Sequence, residues 1–235
     1  MLFRRKNVAN VVKIVKPAFS MIEILISLAI GTLLIFSLSK FYSHIYIQHS
    51  KNNELLNIQK QTHQLLDYFQ QHLQHIGYQG EFREKSNYSL FTDNGKPYSL
   101  NSPDCFLFLY DLDSDGCIGH RYKKRSCTTK VKNKTKDISK EIFGFKLKSK
   151  SVYIFEDDSM RNCRKERCKQ LLTQCHKGKW RKLTALADYA VENLSFRWVE
   201  EGKLMRTELA MQSKKYKNIK YSAVIYSYIF NHINP

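Results

Sequence analysis

A long apolar run near the N-terminus constrains this chain more than any other feature. From Phe19 to Ser39 the only charged side chain is Glu23, and Lys40 follows the run. About 20 apolar residues in a helix are enough to cross the hydrocarbon core of a bilayer. A carboxylate inside such a segment is costly unless it has a partner, so Glu23 requires a functional explanation. The run predicts a transmembrane helix over residues 19–39.

The residues before this run predict how the segment is oriented and processed. The small residue Ala18 precedes Phe19, and the leader before it is basic, with Arg4, Arg5, Lys6, Lys13 and Lys16. A secretory signal has its cleavage site after the apolar stretch, whereas here the small residue comes first. Basic flanks stay in the cytoplasm. We therefore expect a cytoplasmic leader at residues 1–18 and a periplasmic or extracellular remainder.

The pattern remains helical after the apolar run. Apolar residues recur at steps of three and four over residues 55–76, with glutamines on the opposite face. This spacing is typical of a helix with one face against a core. Gly77 and Gly80 then favour its end. The sequence predicts one long helix whose amphipathic continuation covers residues 40–77.

Residues 78–235 have the pattern of an antiparallel sheet. Short runs rich in β-branched and aromatic residues predict strands over residues 105–110, 143–147, 152–155, 194–199, 204–210 and 221–230. Turn-forming residues separate them. A helix on one face of an antiparallel sheet is an α+β fold, and residues 78–235 would be its globular head.

The stretch KPAFSMIEILISLAIG at residues 16–31 resembles the class III signal of type IV prepilins. The resemblance implies that a prepilin peptidase cuts between Ala18 and Phe19 and methylates the new amino group of Phe19. It also implies that Glu23, the fifth residue after the cut, faces the N-terminal amine of a neighbouring subunit. Ala18 departs from the pattern, because the family usually has Gly before the cut.

Two further stretches carry a resemblance. LQHIGYQGEF at residues 73–82 is similar to the end of the N-terminal helix in W-type minor pilins, J-type pseudopilins and the prepilin peptidase-dependent protein B group. CHKGKWRKLTALADYAVENLSFRW at residues 175–198 resembles the protein B group. The resemblance implies a type IV pilin-like fold and a minor pilin of the inner membrane. Such a protein takes part in pilus assembly, in the initiation or tip complex, with other minor and major pilins.

Two alternatives remain open. One is a J-type pseudopilin of type II secretion, which shares the architecture. The other is a membrane-anchored protein that binds calcium or nucleic acid outside any filament. The sequence has no phosphate-binding glycine loop, nucleophile elbow or zinc-protease helix, so we expect no enzyme.

Six cysteines lie in the second half of the chain: Cys105, Cys117, Cys127, Cys163, Cys168 and Cys175. An even number after a targeting segment favours disulfides in an oxidising compartment, and the sequence does not decide their connectivity. A zinc site from Cys163, Cys168, Cys175 and His176 is the alternative.

The stretch DLDSDGCIG at residues 111–119 has the start of a calcium-binding loop. Asp111, Asp113 and Asp115 take the first, third and fifth places, and Gly116 takes the sixth. Tyr122 stands where such a loop has its bidentate glutamate. Cys117 completes the candidate metal residues. The alternative is a polar turn clipped by Cys117.

The charge distribution suggests an anionic partner. The formal net charge is +18, and the strongest basic cluster holds Arg121, Lys123, Lys124, Arg125, Lys130 and Lys132. Cations interleaved with an aromatic ring such as Tyr122 are typical of proteins that bind the nucleic-acid backbone. The hypothesis is DNA contact during uptake by a competence pilus, and the alternative is a solvated charged loop.

Overall fold

The computed structural model of the chain describes residues 20–81, 86–92, 95–122, 125–129, 132–157, 163, 165–173, 175, 177–183 and 188–231. The chain divides into two units, residues 1–50 and residues 51–235. Helix α1 (Met21–Gln74) begins in the first unit and ends in the second. The second unit adds helix α2 (Lys165–Leu172) and two short 3-10 helices at Tyr88–Leu90 and Ile138–Glu141.

In the first unit, the apolar side chains of α1 are exposed. An 18-residue window of the helix has a mean hydropathy of 2.3, and none of it is buried. Large side chains from Met21 to Ile47 face outward, Phe36 for example with 69% of its surface exposed. The helix is thus long and apolar enough to cross a membrane, as the sequence predicted.

In the second unit, one face of α1 is buried against the sheets. Ile58, Leu66, Phe69 and Leu73 are fully buried, and the ring of Phe69 lies 4.6 Å from that of Phe145. The predicted apolar stripe is therefore the packing face of the helix. The helix then ends before Gly77, whose φ of +77° is a backbone conformation that residues other than glycine rarely adopt.

The strands are β1 (Tyr98–Ser102), β2 (Cys105–Leu109), β3 (Thr128–Thr129), β4 (Lys132–Asn133), β5 (Ile142–Lys148), β6 (Ser151–Phe155), β7 (Trp180–Lys182), β8 (Tyr189–Glu200), β9 (Leu204–Ser213) and β10 (Lys220–Tyr228). All pairs are antiparallel, in the orders β1-β2-β5-β6-β7, β10-β9-β8 and β3-β4. All six predicted strands are present. They belong to two main sheets instead of the single sheet expected, because alternation locates a strand but does not choose its neighbour.

All six cysteines form disulfides, as expected. The pairs are Cys105–Cys175, Cys117–Cys127 and Cys163–Cys168. A second apolar cluster, with Phe91, Leu107 and Leu172 among its members, surrounds Cys105, Cys175 and the Cys163–Cys168 pair. The zinc alternative is wrong for its three cysteines, because each sulfur is bonded to another sulfur. His176 lies outside the described residues.

Candidate functional site

Glu23 caps the start of α1. Its carboxylate accepts a hydrogen bond from the Ser20 backbone N–H at 2.9 Å, and the Ser20 hydroxyl accepts one from the Ile22 N–H at 3.3 Å. This reciprocal arrangement is a capping box, which satisfies backbone donors that a helix leaves without partners. The single chain therefore already gives the carboxylate a local partner. The predicted cleavage site, Ala18 and Phe19, lies outside the described residues.

The acidic loop, residues 111–119, is a tight turn in which carboxylates accept backbone hydrogen bonds. Asp111 accepts N–H groups of Asp115 and Gly116 at 3.2 and 2.7 Å, and Asp115 accepts the N–H of Cys117 at 3.0 Å. Ser114 and Gly116 have φ values of 61° and 89°, which the tight turn requires. Cys117 is bonded to Cys127, so its sulfur is not available as a thiolate ligand.

Glu141 reaches this loop from the 3-10 helix Ile138–Glu141. Its carboxylate accepts N–H groups of Leu112 and Asp113 at 2.9 and 3.3 Å and that of Gly119 at 2.5 Å. Only 3% of Glu141 is exposed. Sequence reasoning missed this residue, because Glu141 is distant in sequence and no spacing rule relates it to the loop.

The loop and Glu141 bring carboxylates together in two overlapping groups. Ligand atoms of Asp111, Asp113 and Glu141 lie within 4.8 Å of one another, and so do those of Asp113, Asp115 and His120. Carboxylate oxygens are the ligands that calcium prefers. By composition the group of Asp111, Asp113 and Glu141 could hold a hard cation. Glu141 would supply the carboxylate that the loop lacks at its twelfth place, where Tyr122 stands. Calcium binding stays a prediction.

The electrostatics of this group favour protonation. Burial raises the pKa of Glu141 to about 8, and the nearby charges of Asp111 and Asp113 act in the same direction. Burial also raises the pKa of Asp111 to about 6. The backbone N–H groups lower both values without cancelling the effect of burial. On the exposed side, the hydrogen bond that the His120 ring donates to the Asp113 carboxylate raises the pKa of His120.

The Gly-Tyr-x-Gly stretch after α1 packs directly on the acidic loop. The Tyr78 carbonyl accepts the N–H of Asp111 at 2.9 Å. A Cβ atom at Gly80 would lie 2.5 Å from the Ser114 carbonyl oxygen and 2.9 Å from an Asp111 carboxylate oxygen. Glycine is therefore needed where the end of the helix approaches the loop. The sequence identified the Gly-Tyr-x-Gly stretch and the acidic loop, but it did not show that the two contact each other.

The basic cluster is partly described. Arg121, Arg125 and Lys132 line one open cavity of about 520 Å³, together with Tyr122, Lys134 and Lys136 among others. The Arg125 guanidinium lies 5.9 Å from the Tyr122 ring centre. Lys123, Lys124 and Lys130 lie outside the described residues. The structure thus brings three of the six candidate DNA contacts to one concave surface.

A family model described as prepilin peptidase-dependent protein B matches residues 51–229. This match covers more than half of the chain. The chain belongs to the prepilin peptidase-dependent protein B family. The matched segment contains residues 51–74 of α1, the acidic loop and all the strands within the described residues. The prediction of this family is confirmed, and its name indicates a pilin-related protein that depends on a prepilin peptidase. The relation to W-type and J-type proteins stays a prediction.

A relative of this member of the protein B family occurs in Haemophilus influenzae as an uncharacterised protein. It is 32% identical over an alignment of 145 residues, and the match covers 59% of this chain and 58% of the relative. The chain therefore spans less than two thirds of the length of that curated relative. No solved structure matches the chain.

Proposed function

We propose that this chain is a minor pilin that takes part in type IV pilus assembly, in the complex that starts the filament or forms its tip. The exposed apolar first part of α1, with its single carboxylate at Glu23, is the observation that carries the proposal. Membership of a family named for dependence on prepilin peptidase supports it. A helix with large apolar side chains on all sides needs lipid or other helices around it.

The assembly mechanism follows from this helix. After cleavage between Ala18 and Phe19, the new N-terminal amine would be positively charged and methylated. Glu23 of one subunit would then pair with the amine of its neighbour. Opposite charges about 4 Å apart attract by roughly 4 kcal/mol at an effective dielectric constant near 20. This attraction would fix the register of apolar helices, which otherwise pack with little directional preference.

Mass spectrometry of the mature N-terminus tests the processing step. We expect a chain that begins with methylated Phe19 in cells with a prepilin peptidase and an intact leader in cells without it. The matched variants are Ala18→Gly, which restores the family's usual residue and should also be cut, and Ala18→Leu, which should not. An intact Met1 in peptidase-positive cells would favour a membrane-anchored protein outside any filament.

Glu23 variants test the assembly step. Because Gln can still accept the Ser20 N–H bond, Glu23→Gln removes the charge and keeps the cap. We expect Glu23→Gln and Glu23→Ala both to reduce co-purification with other pilins at least tenfold. If Glu23→Gln assembles like the wild type, the carboxylate serves only the cap. Recovery with type II secretion components in place of pilus components would favour the J-type pseudopilin.

A second function, DNA contact by the head, is favoured by the shared cavity of Arg121, Arg125 and Lys132. Binding that uses these cations should weaken steeply as salt rises, because each phosphate contact releases counterions. We expect Arg125→Glu with Lys132→Glu to weaken duplex DNA binding at least tenfold and to flatten the salt slope. The control is Lys148→Glu with Lys177→Glu, which changes charge equally at exposed sites elsewhere. Equal loss in both variants would mean nonspecific attraction.

A further inference from the structure

Strand β10 is the outer strand of its sheet. The order of that sheet is β10-β9-β8, so among the described residues β10 is paired on one side only. Its nine register pairs with β9 run without a shift from Lys220↔Gln212 to Tyr228↔Leu204. A long, regular strand of this kind is a template for pairing with another chain.

The hydrogen bonds at the two ends of this ladder show which backbone groups face the open side. The Ser213 N–H donates to the Ile219 carbonyl at 3.0 Å, and the Ile229 N–H donates to the Lys203 carbonyl at 2.8 Å. Bonded and non-bonded pairs alternate along an antiparallel ladder. The odd-numbered residues of β10 therefore bond to β9. The even-numbered residues, Ser222, Val224 and Tyr226 among them, direct their N–H and carbonyl groups away from it.

The same even-numbered residues carry exposed side chains. Val224, Tyr226 and Tyr228 are 38%, 56% and 47% exposed, and Phe230 just beyond the strand is 65% exposed. The side chains of the odd-numbered residues Tyr221, Ala223 and Ile225 pack against the apolar core that contains Phe69. The open edge thus combines outward backbone groups with an apolar surface, a combination that natural edge strands usually avoid.

A lysine cluster lies at the N-terminal end of this edge. Lys214, Lys215, Lys217 and Lys220 are all exposed. An acidic segment would complement this charge. A second copy of the chain fits poorly, because two chains of formal charge +18 repel each other.

We propose that β10 accepts an extended strand from an acidic partner protein. The strand would run antiparallel to β10, the more stable pairing, so its C-terminal end would lie beside Lys217 and Lys220. The partner strand needs alternating apolar or β-branched residues to contact Val224 and Tyr226, followed by carboxylates. Backbone bonds supply affinity in this mode of recognition, and side chains supply specificity.

This proposal names a partner surface on the head and does not depend on Glu23 or on cleavage at Phe19. Failure of strand binding would leave the assembly proposal intact. Failure of the Glu23 experiments would equally leave the strand-binding proposal intact, because the open edge of β10 does not depend on Glu23.

The test measures binding of synthetic peptides to the full chain in detergent by fluorescence anisotropy. The probe is a short peptide of alternating threonine and valine that ends in two glutamates. The controls are the same peptide ending in two lysines and the peptide with its two glutamates at the N-terminus. We expect the first peptide to bind at least tenfold more tightly than either control. Equal binding of all three, or no binding, would overturn the proposal.

Variants of β10 and of the neighbouring lysines test whether the peptide binds at the open edge. Val224→Pro removes an N–H that faces the open side and not β9, so the ladder within the sheet is kept. We expect at least tenfold weaker binding for Val224→Pro and for Lys217→Glu with Lys220→Glu. The second variant changes only exposed side chains and protects the test against a folding defect. The matched control, Lys177→Glu with Lys179→Glu, should bind like the wild type.

Two results would contradict the placement. Unchanged binding by both edge variants would locate the peptide elsewhere. A dimer of the full chain that Val224→Pro dissociates would identify a second copy as the occupant and overturn the choice of an acidic partner.

Discussion

At the scale of single residues, opposing forces act on the carboxyl group of Glu141. Three backbone N–H groups favour its carboxylate form, whereas burial and the charges of Asp111 and Asp113 oppose it. Burial wins, and the pKa rises to about 8. The folded chain therefore favours the protonated form of Glu141 more than the unfolded chain does.

The first prediction concerns pH. The pKa of Glu141 is about 8 against an ordinary 4.5, and that of Asp111 is about 6 against 3.8, so the folded chain binds protons more tightly than the unfolded chain. This contribution to stability is fully present below the ordinary values and is lost as pH rises through about 6 and about 8. We expect the melting temperature of the head to fall across this range in the absence of divalent cations.

The control for the pH prediction is a pair of glutamine variants. Glu141→Gln removes the titrating group and should flatten the fall, whereas Glu201→Gln, at an exposed turn, should not. A wild-type profile that rises over the same range would contradict the raised values.

The second prediction concerns calcium. A cation bound only by the folded chain raises its stability by mass action. If the group of Asp111, Asp113 and Glu141 holds calcium, millimolar calcium should raise the melting temperature most at high pH, where Asp111 and Glu141, whose pKa values are raised, are both charged. Magnesium should do less, because it keeps its water ligands more firmly. Asp113→Asn should remove the effect. No calorimetric heat and no shift in wild type would leave the loop as a structural turn.

At the scale of elements, local periodicity in the sequence predicts where the helices and strands lie. The stripe ending at Ile76 and the alternation in β9 locate the helix and the strand to within a few residues. The division into two sheets depends on contacts far apart in sequence, which no local pattern encodes. Glu141 was missed for the same reason. The loop of Asp111, in contrast, was found because its spacing is local.

The third prediction tests the contact between the end of α1 and the acidic loop. A methyl group at Gly80 would approach the Ser114 carbonyl oxygen to 2.5 Å. That oxygen belongs to the backbone, so it cannot move aside as the end of a flexible side chain could. Overpacking of this kind costs about 1–3 kcal/mol. We expect Gly80→Ala to lower the free energy of unfolding of the head by that amount, measured by denaturant titration. Gly31→Ala is the control, since among the described residues no atom beyond its own helix backbone lies within 4 Å of the added methyl, and it should leave the head unchanged.

At the scale of the whole molecule, the two units obey different physical requirements. The first unit exposes an apolar helix and needs lipid or other helices. The second has its own apolar core, three disulfides and a family match that begins at residue 51, the first residue of that unit. Helix α1 belongs to both units. Glu23 and the buried face that packs in the head therefore lie on the same helix.

The last prediction ranks the disulfides. Cys105–Cys175 closes 70 residues, Cys117–Cys127 closes 10 and Cys163–Cys168 closes 5. In the chain-entropy model a longer loop restricts the unfolded state more, which gives about 4 kcal/mol for the longest loop and about 2 kcal/mol for the shortest. We expect double serine variants to lose stability in that order in denaturant titrations. The second apolar cluster contains both the Cys105–Cys175 and the Cys163–Cys168 pairs, so lost packing adds to the cost of both variants and the difference between them comes from loop length. Equal losses for the longest and shortest loops would show that native packing, and not loop entropy, sets the contribution of these bonds.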